Sequence, residues 1–119
     1  MNILRFFSKP KLSQEAFEAY RDRLPNSISV NWWRDGNFII GRVSAGKQEF
    51  ITQGLNSDNF IEMVNDAIYT VYDIPRDYVE VIKKFRTYQP NPEQKRLLEN
   101  GEIMKAIFSS EKSQEVIRV

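Results

Sequence analysis

Residues 27–52, SISVNWWRDGNFIIGRVSAGKQEFIT, hold the part of the sequence that decides the fold. Ile28, Val30 and Trp32 alternate with other residues at a spacing of two, which is the period of a β-strand that buries one face. Asp35-Gly36 is a favoured pair for the centre of a two-residue type I′ turn. A second turn is centred on either Ala45-Gly46 or Gly46-Lys47. The pattern therefore predicts a three-stranded antiparallel meander.

The predicted pairing assigns each side chain of the meander to one of two faces. With Asp35-Gly36 at the centre of the first turn, Trp32 lies opposite Ile39. Both choices for the second turn leave the third strand, residues 48–52, with the same face assignment. One face then carries Ile28, Val30, Trp32, Ile39, Val43, Phe50 and Thr52.

A periodic helix follows the meander, from an N-cap at Asn56 to about residue 72. Its apolar stripe consists of Phe60, Ile61, Val64, Ala67, Ile68 and Val71, whereas Glu62, Asn65, Asp66 and Thr70 are predicted to lie largely outside the stripe. We expect the stripe to pack on the meander face that carries Trp32 and Ile39.

The flanking segments predict further helices. Residues 12–24 form a helix capped by Ser13, and residues 76–85 favour a helix over a strand. Residues 93–108 also look helical, with an interruption at Asn100-Gly101. The sequence leaves open whether the C-terminal third supplies a fourth strand, for example at residues 116–119.

The predicted fold class is α+β: a three- or four-stranded antiparallel β-meander with a helix packed on one face, plus extra N- and C-terminal helices. A chain of 119 residues suits a single domain. Within it, residues 1–26 form an N-terminal helical extension, residues 27–73 the core, and residues 74–119 a mainly helical C-terminal extension.

Composition removes several classes of chemistry. The chain has no cysteine and no histidine, so thiolate metal sites, cysteine nucleophiles and Ser/His/Asp triads are excluded. The glycines do not match a phosphate-binding loop. We therefore predict a protein that is not an enzyme, with no catalytic residue, metal or cofactor. No apolar run suits a secretory signal or a membrane span, so we expect a cytoplasmic protein with no membrane partner.

The other face of the meander is the candidate site. Its apolar side chains, together with a neighbouring cation, predict a partner-binding surface made of Trp33, Phe38, Ile40, Arg42 and Ile51. An alternative is that the N-terminal or C-terminal helices cover this face. A second alternative is single-stranded nucleic acid bound by Trp33, Phe38, Arg42 and Lys47, since aromatic and basic side chains together form stacking platforms. A third is a structural subunit that forms a homodimer through a sheet edge.

The order of these elements resembles the HicB-like family of bacterial toxin–antitoxin proteins over residues 27–73. The similar motifs are Asp35-Gly36 with Phe38, then Ile51-Thr52-Gln53-Gly54, then FIEMVNDAI at residues 60–68. The resemblance implies a partial RNase H-like β-β-β-α module that lacks the catalytic acids of RNase H enzymes and works by binding. It further implies a protein partner, a small RNA-cleaving toxin that the module binds and masks.

Overall fold

A computed structural model describes residues 12–111, which fold into four helices and five strands. In chain order these are α1 (Gln14–Arg23), β1 (Ser27–Asp35), β2 (Phe38–Ala45), β3 (Gln48–Gly54), α2 (Ser57–Val71), α3 (Arg76–Ile82), β4 (Arg86–Gln89), α4 (Pro92–Glu99) and β5 (Met104–Glu111). The α+β class is confirmed. The prediction for residues 116–119 lies outside the described residues. Within residues 12–111, no helix combines the length and the apolar character that crossing a membrane requires.

All five strands belong to one antiparallel sheet in the order β3-β2-β1-β5-β4. The predicted meander supplies β1, β2 and β3, and β1 becomes the central strand because β5 pairs along its other side. The predicted number of three or four strands is therefore wrong. The C-terminal part of the chain contributes two strands, β4 and β5, in addition to two helices.

The predicted packing of α2 on the sheet is confirmed. Asn56 caps the helix through a side-chain oxygen that accepts a hydrogen bond from the Asn59 N–H, at 2.8 Å. Fully buried residues of the α2 stripe and of the sheet then join one core, namely Phe60, Val64, Ile68, Ile28, Val30, Trp32, Ile39 and Val43. Burying each of these side chains contributes about 1.5–3 kcal/mol before the entropy of ordering is subtracted.

Close approach of α2 to the sheet explains why a glycine ends β3. A Cβ added at Gly54 would lie 2.5 Å from both the backbone nitrogen and the Cα of Phe60. A carbon atom cannot lie that close to a non-bonded backbone atom, so any larger residue at position 54 would push the first turn of α2 away from the sheet. Gly54 thus fixes the entry of the helix, and its role is structural.

The first turn differs from the prediction by one residue. Asp35 pairs with Phe38, so Gly36 and Asn37 are the two central residues and Trp32 lies opposite Gly41 instead of Ile39. Only Gly36 has a positive φ, of 61°, which is the requirement of a type II′ turn. Each β1 residue therefore pairs with a β2 residue two positions further along the chain than predicted. Because a shift of two residues keeps the same side of a strand, the faces keep their assignment. The second turn is centred on Gly46-Lys47, one of the two predicted alternatives.

The prediction of a helix over residues 93–108 is correct only for its first half. Residues 92–99 form α4, but the chain returns as β5 from Met104 onward. Ala106 pairs with Val30 and is buried in the core, and the rings of Phe108 and Trp32 lie 6.1 Å apart. A strand forms here instead of a helix because its two-residue period places both Ala106 and Phe108 on the core face beside β1. Local sequence alone does not reveal this pairing.

The outer edge of β4 is closed by side chains of α2. The Asn65 amide nitrogen donates to the Tyr88 carbonyl at 2.8 Å, and the Asn65 carbonyl oxygen accepts from the Tyr88 N–H at 2.7 Å. Tyr69 donates its hydroxyl to the Arg86 carbonyl at 2.7 Å. Burial raises the pKa of Tyr69 to about 12, so this phenol stays protonated and remains a donor at neutral pH. Asn65 was predicted outside the buried stripe, but it is only 5% exposed.

Helices α1 and α3 pack together on the core side of the sheet. The ring centroid of Phe17 in α1 lies 5.7 Å from that of Phe85, which follows α3. The ring centroids of Tyr20 in α1 and Tyr78 in α3 lie 5.0 Å apart. Arg86 of β4 ties down the end of α1, because its guanidinium donates to the carbonyl oxygens of Arg21 and Leu24. The predicted N-terminal helix is confirmed, and it is docked.

Candidate interaction face

The sheet face opposite the core, called here the open face, is defined by the strand register. It carries Ser29, Asn31 and Trp33 of β1, Phe38, Ile40, Arg42 and Ser44 of β2, Glu49, Ile51 and Gln53 of β3, and Lys105, Ile107 and Ser109 of β5. None of these residues is classed as buried. All the strands that build this face except β5 were predicted from the sequence.

None of the four described helices covers the open face. α2 contacts β2, β3 and β4, α4 contacts β5, and α1 contacts α3. The buried side chains of all four helices belong to the single core on the other side of the sheet, among them Phe17, Ile68, Val81 and Leu98. The alternative in which the helix at 12–24 or the C-terminal helices cover the second face is therefore wrong for the described residues.

Apolar side chains of the open face cluster around Trp33. This residue lies directly opposite Ile40 on β2, and both are half-buried. Phe38 begins β2 and is 39% exposed, whereas Ile51 on β3 is 60% exposed. Single exposed apolar residues are normal on protein surfaces, but four partly or largely exposed apolar side chains on one sheet face are typical of an interaction site.

A polar row crosses the same face from strand to strand. Asn31 pairs with Lys105 on one side and with Arg42 on the other, and Arg42 in turn pairs with Ile51. Neither cation forms an ion pair with another residue of the described part of the chain. The Asn31 side-chain oxygen is shielded from solvent and has no hydrogen-bond partner there. The centre of the face therefore offers two exposed positive charges, those of Arg42 and Lys105.

The structure separates one predicted nucleic-acid contact from the others. Trp33, Phe38 and Arg42 share the open face, but Lys47 lies in the turn beyond the far end of β2. The length of β2 keeps Phe38 and that turn on the order of 25 Å apart, at the rise of an antiparallel strand. Lys105 is closer to the aromatic residues than Lys47 is, because it pairs with Asn31, two residues before Trp33.

Several acidic residues of the described chain form ion pairs or lie at turns. Within residues 12–111, no group of three or more potential metal-ligating side chains comes together. Asp66 contacts Lys83 at 3.4 Å and Asp58 contacts Lys95 at 3.2 Å, both on the exposed surface. Asp35 ends β1 at the first turn. The open face is instead the candidate site of the described protein.

Sequence reasoning missed the part of the open face that β5 supplies. Lys105 and Ile107 lie on it, and Ile107 is 64% exposed. A signal was present, since Met104, Ala106 and Phe108 alternate with Lys105 and Ile107 at a spacing of two. The helical pattern of the preceding residues masked that alternation.

Fold and site together define a class: an α+β protein with a five-stranded antiparallel sheet, covered by helices on one face and open on the other. Comparison with known proteins adds no relative, because no protein-family model, no curated protein and no solved structure matches this chain.

Proposed function

We propose that this protein is a non-catalytic, HicB-like interaction module that binds a protein partner through the open face. The observation that carries the proposal is that exposed Phe38 and Ile51 and half-buried Trp33 and Ile40 share one side of a sheet whose other side carries the hydrophobic core. A sheet face with aromatic residues beside a row of polar and basic residues has the composition of a protein interface. Arg42 and Lys105 would then receive acidic groups of the partner.

The partner in this proposal is a small RNA-cleaving toxin in the bacterial cytoplasm, which the module masks by covering it. This finer step is supported by the resemblance of residues 27–73 to HicB-like proteins, and in particular by Thr52-Gln53-Gly54 at the entry of α2. In that arrangement the chain needs no catalytic group, because occlusion alone inhibits the toxin.

Replacing Phe38 with Asp tests the face. Phe38→Asp places a charge within the apolar cluster, and we expect the partner recovered from the native host to bind at least about 30-fold more weakly, as for an aromatic anchor. The measurement is calorimetric titration of the purified partner. Addition of the wild-type chain should also suppress RNA cleavage by that partner, and the variant should suppress it less.

Leu55→Asp is the matched control, because Leu55 is an exposed apolar residue outside the open face. We expect this variant to bind and to inhibit like the wild type. Equal binding by Phe38→Asp and the wild type would contradict the open face as the site. A partner with no RNA-cleaving activity would contradict the toxin.

The second candidate, single-stranded nucleic acid, is favoured by a partly exposed Trp33 near Arg42 and Lys105, which form no ion pair with another described residue. Titration with an oligonucleotide should then quench tryptophan fluorescence, and the quenching should weaken as salt rises. Trp32 is 1% exposed, so Trp33→Phe should remove the response without loss of the fold. Fluorescence that stays constant at low salt rules this candidate out.

A further inference from the structure

The two edges of the sheet differ in how their backbone groups are satisfied. At the β4 edge, Asn65 and Tyr69 of α2 bond the outward-facing groups of Tyr88 and Arg86. At the β3 edge, no described side chain does the same. Among residues 12–111, therefore, one edge is blocked by a helix, and the other has no partner and can accept another strand.

The free groups of β3 follow from its turn. Ala45 and Gln48 flank the two-residue turn, so they exchange hydrogen bonds, and every second residue of β3 then faces β2. The intervening residues point their N–H and C=O groups away from the sheet. These are Glu49, Ile51 and Gln53, and the side chains of all three are exposed.

β3 has few of the features that protect an edge from pairing. Its seven residues contain no proline and no lysine, its register with β2 runs without a bulge, and Glu49 is its only charged residue. Natural edge strands commonly use several of these devices against association. A single carboxylate leaves the outward backbone groups of β3 open to pairing.

A groove runs beside this edge between β3 and α2, with a volume of about 360 Å³. Phe50 and Thr52 line its sheet side, and Met63, Ala67 and Val71 line its helix side. Asp66 also borders it, but Lys83 partly offsets that charge at 3.4 Å. A strand added to β3 would send alternate side chains into this apolar space.

We propose that the occupant is β3 of a second copy of this chain, paired antiparallel about a two-fold axis at Ile51. This register lets Ile51 of each copy exchange hydrogen bonds and pairs all the remaining free groups, because Glu49 then faces Gln53 of the other copy. Like charges do not meet. Phe50 of one copy lies opposite Thr52 of the other above the two grooves. The edge is thus complementary to itself.

Pairing in this register produces a ten-stranded sheet. Both α2 helices lie on one side of it, and the two open faces form one continuous surface on the other side, with an Ile51 from each copy at the centre. The dimer forms through backbone groups of β3, whereas the proposed partner contacts side chains of the open face, so the inference does not depend on the proposed function.

Sedimentation equilibrium over a range of concentrations tests the dimer, and two opposite changes at Gln53 test its register. Gln53→Lys places a cation opposite Glu49 of the other copy at two symmetric sites. We expect the dissociation constant of the dimer to fall by about two- to tenfold. Gln53→Glu creates two like-charge pairs, and we expect a comparable increase in the dissociation constant.

A third variant tests the backbone pairing. Ile51→Pro removes the N–H at the centre of the interface, so a monomer is expected, while Ile51→Thr keeps that donor and should remain a dimer. Circular dichroism checks that each variant is folded. A wild-type chain that stays monomeric at its highest soluble concentration overturns the proposal and leaves the edge to a strand of another protein. A dimer on which the two Gln53 variants act alike overturns the register.

Discussion

Ile68→Asp is expected to unfold the protein. Ile68 is fully buried in the stripe by which α2 packs on the sheet. The carboxylate would have no water there and no cation with which to pair, so it would either remain charged at a high cost or take up a proton. We expect a loss of at least about 4 kcal/mol in the free energy of unfolding, against a typical total of about 5–15 kcal/mol. Urea denaturation followed by circular dichroism measures the difference.

Ile107→Asp is the matched control for this prediction. Ile107 is 64% exposed on the open face, so the same chemical change leaves the new carboxylate in water. We expect a loss of less than about 1 kcal/mol, mainly from the lower preference of aspartate for a strand. Similar unfolding by both variants would mean that α2 does not pack on the sheet as described.

Asn65→Leu is expected to cost about 3 kcal/mol or more. The substitution keeps a side chain of similar size but removes both hydrogen bonds to the backbone of Tyr88, at 2.7 and 2.8 Å, and the bond from the Thr87 hydroxyl at 3.0 Å. Tyr88 is buried, so its N–H and C=O groups would have no replacement partners. A buried polar group left without a partner costs about 1–3 kcal/mol.

Hydrogen exchange distinguishes this local effect from a general loss of stability. The Tyr88 amide should exchange faster in Asn65→Leu than the amides of β1 do, because only the β4 edge loses its bonds. Asn59→Ala on the same helix removes an exposed hydrogen bond to the Leu55 N–H, at 2.9 Å, and should cost no more than about 1 kcal/mol. If Asn65→Leu lowered the free energy of unfolding as little as this control, Asn65 would not be the residue that closes the β4 edge.

The open face and the two edges together suggest how one small protein could associate in two ways. The open face presents aromatic and basic side chains, whereas the β3 edge presents backbone groups. A partner on the first and a second copy on the second would not compete for the same atoms. Phe38 lies on β2, away from the β3 edge, so Phe38→Asp should weaken binding of the partner and leave the dimer intact.

Predictions from periodicity succeeded where partner segments lie next to each other in the chain. Ile28, Val30 and Trp32 alternate strictly, and Gly36 and Gly46 sit at sharp turns, so the faces of β1, β2 and β3 follow from local signals. The displacement of the first turn by one residue did not alter those faces. Trp33, Phe38, Ile40, Arg42 and Ile51 therefore lie on one side of the sheet, as the pattern indicated.

Predictions failed where a segment depends on distant neighbours. Residues 104–111 become a strand because β1 offers them a free side to pair with, more than 70 residues earlier in the chain. Asn65 is polar and looks solvent-facing on a helical projection. It is buried because the backbone of β4, which only tertiary folding brings there, satisfies its amide.

The sequence by itself determined the β-β-β-α order, the buried positions Phe60, Val64 and Ile68 of α2, the faces of the first three strands, and the lack of cysteine and histidine chemistry. Those features arise from periods of two and 3.6 residues and from turn geometry, which act over a few residues. Only the tertiary structure decided that β5 completes the sheet beside β1, that Asn65 closes the β4 edge, and that β3 stays open. The reason is that strand pairing and the satisfaction of buried polar groups depend on residues far apart in the chain, whose meeting no local pattern encodes.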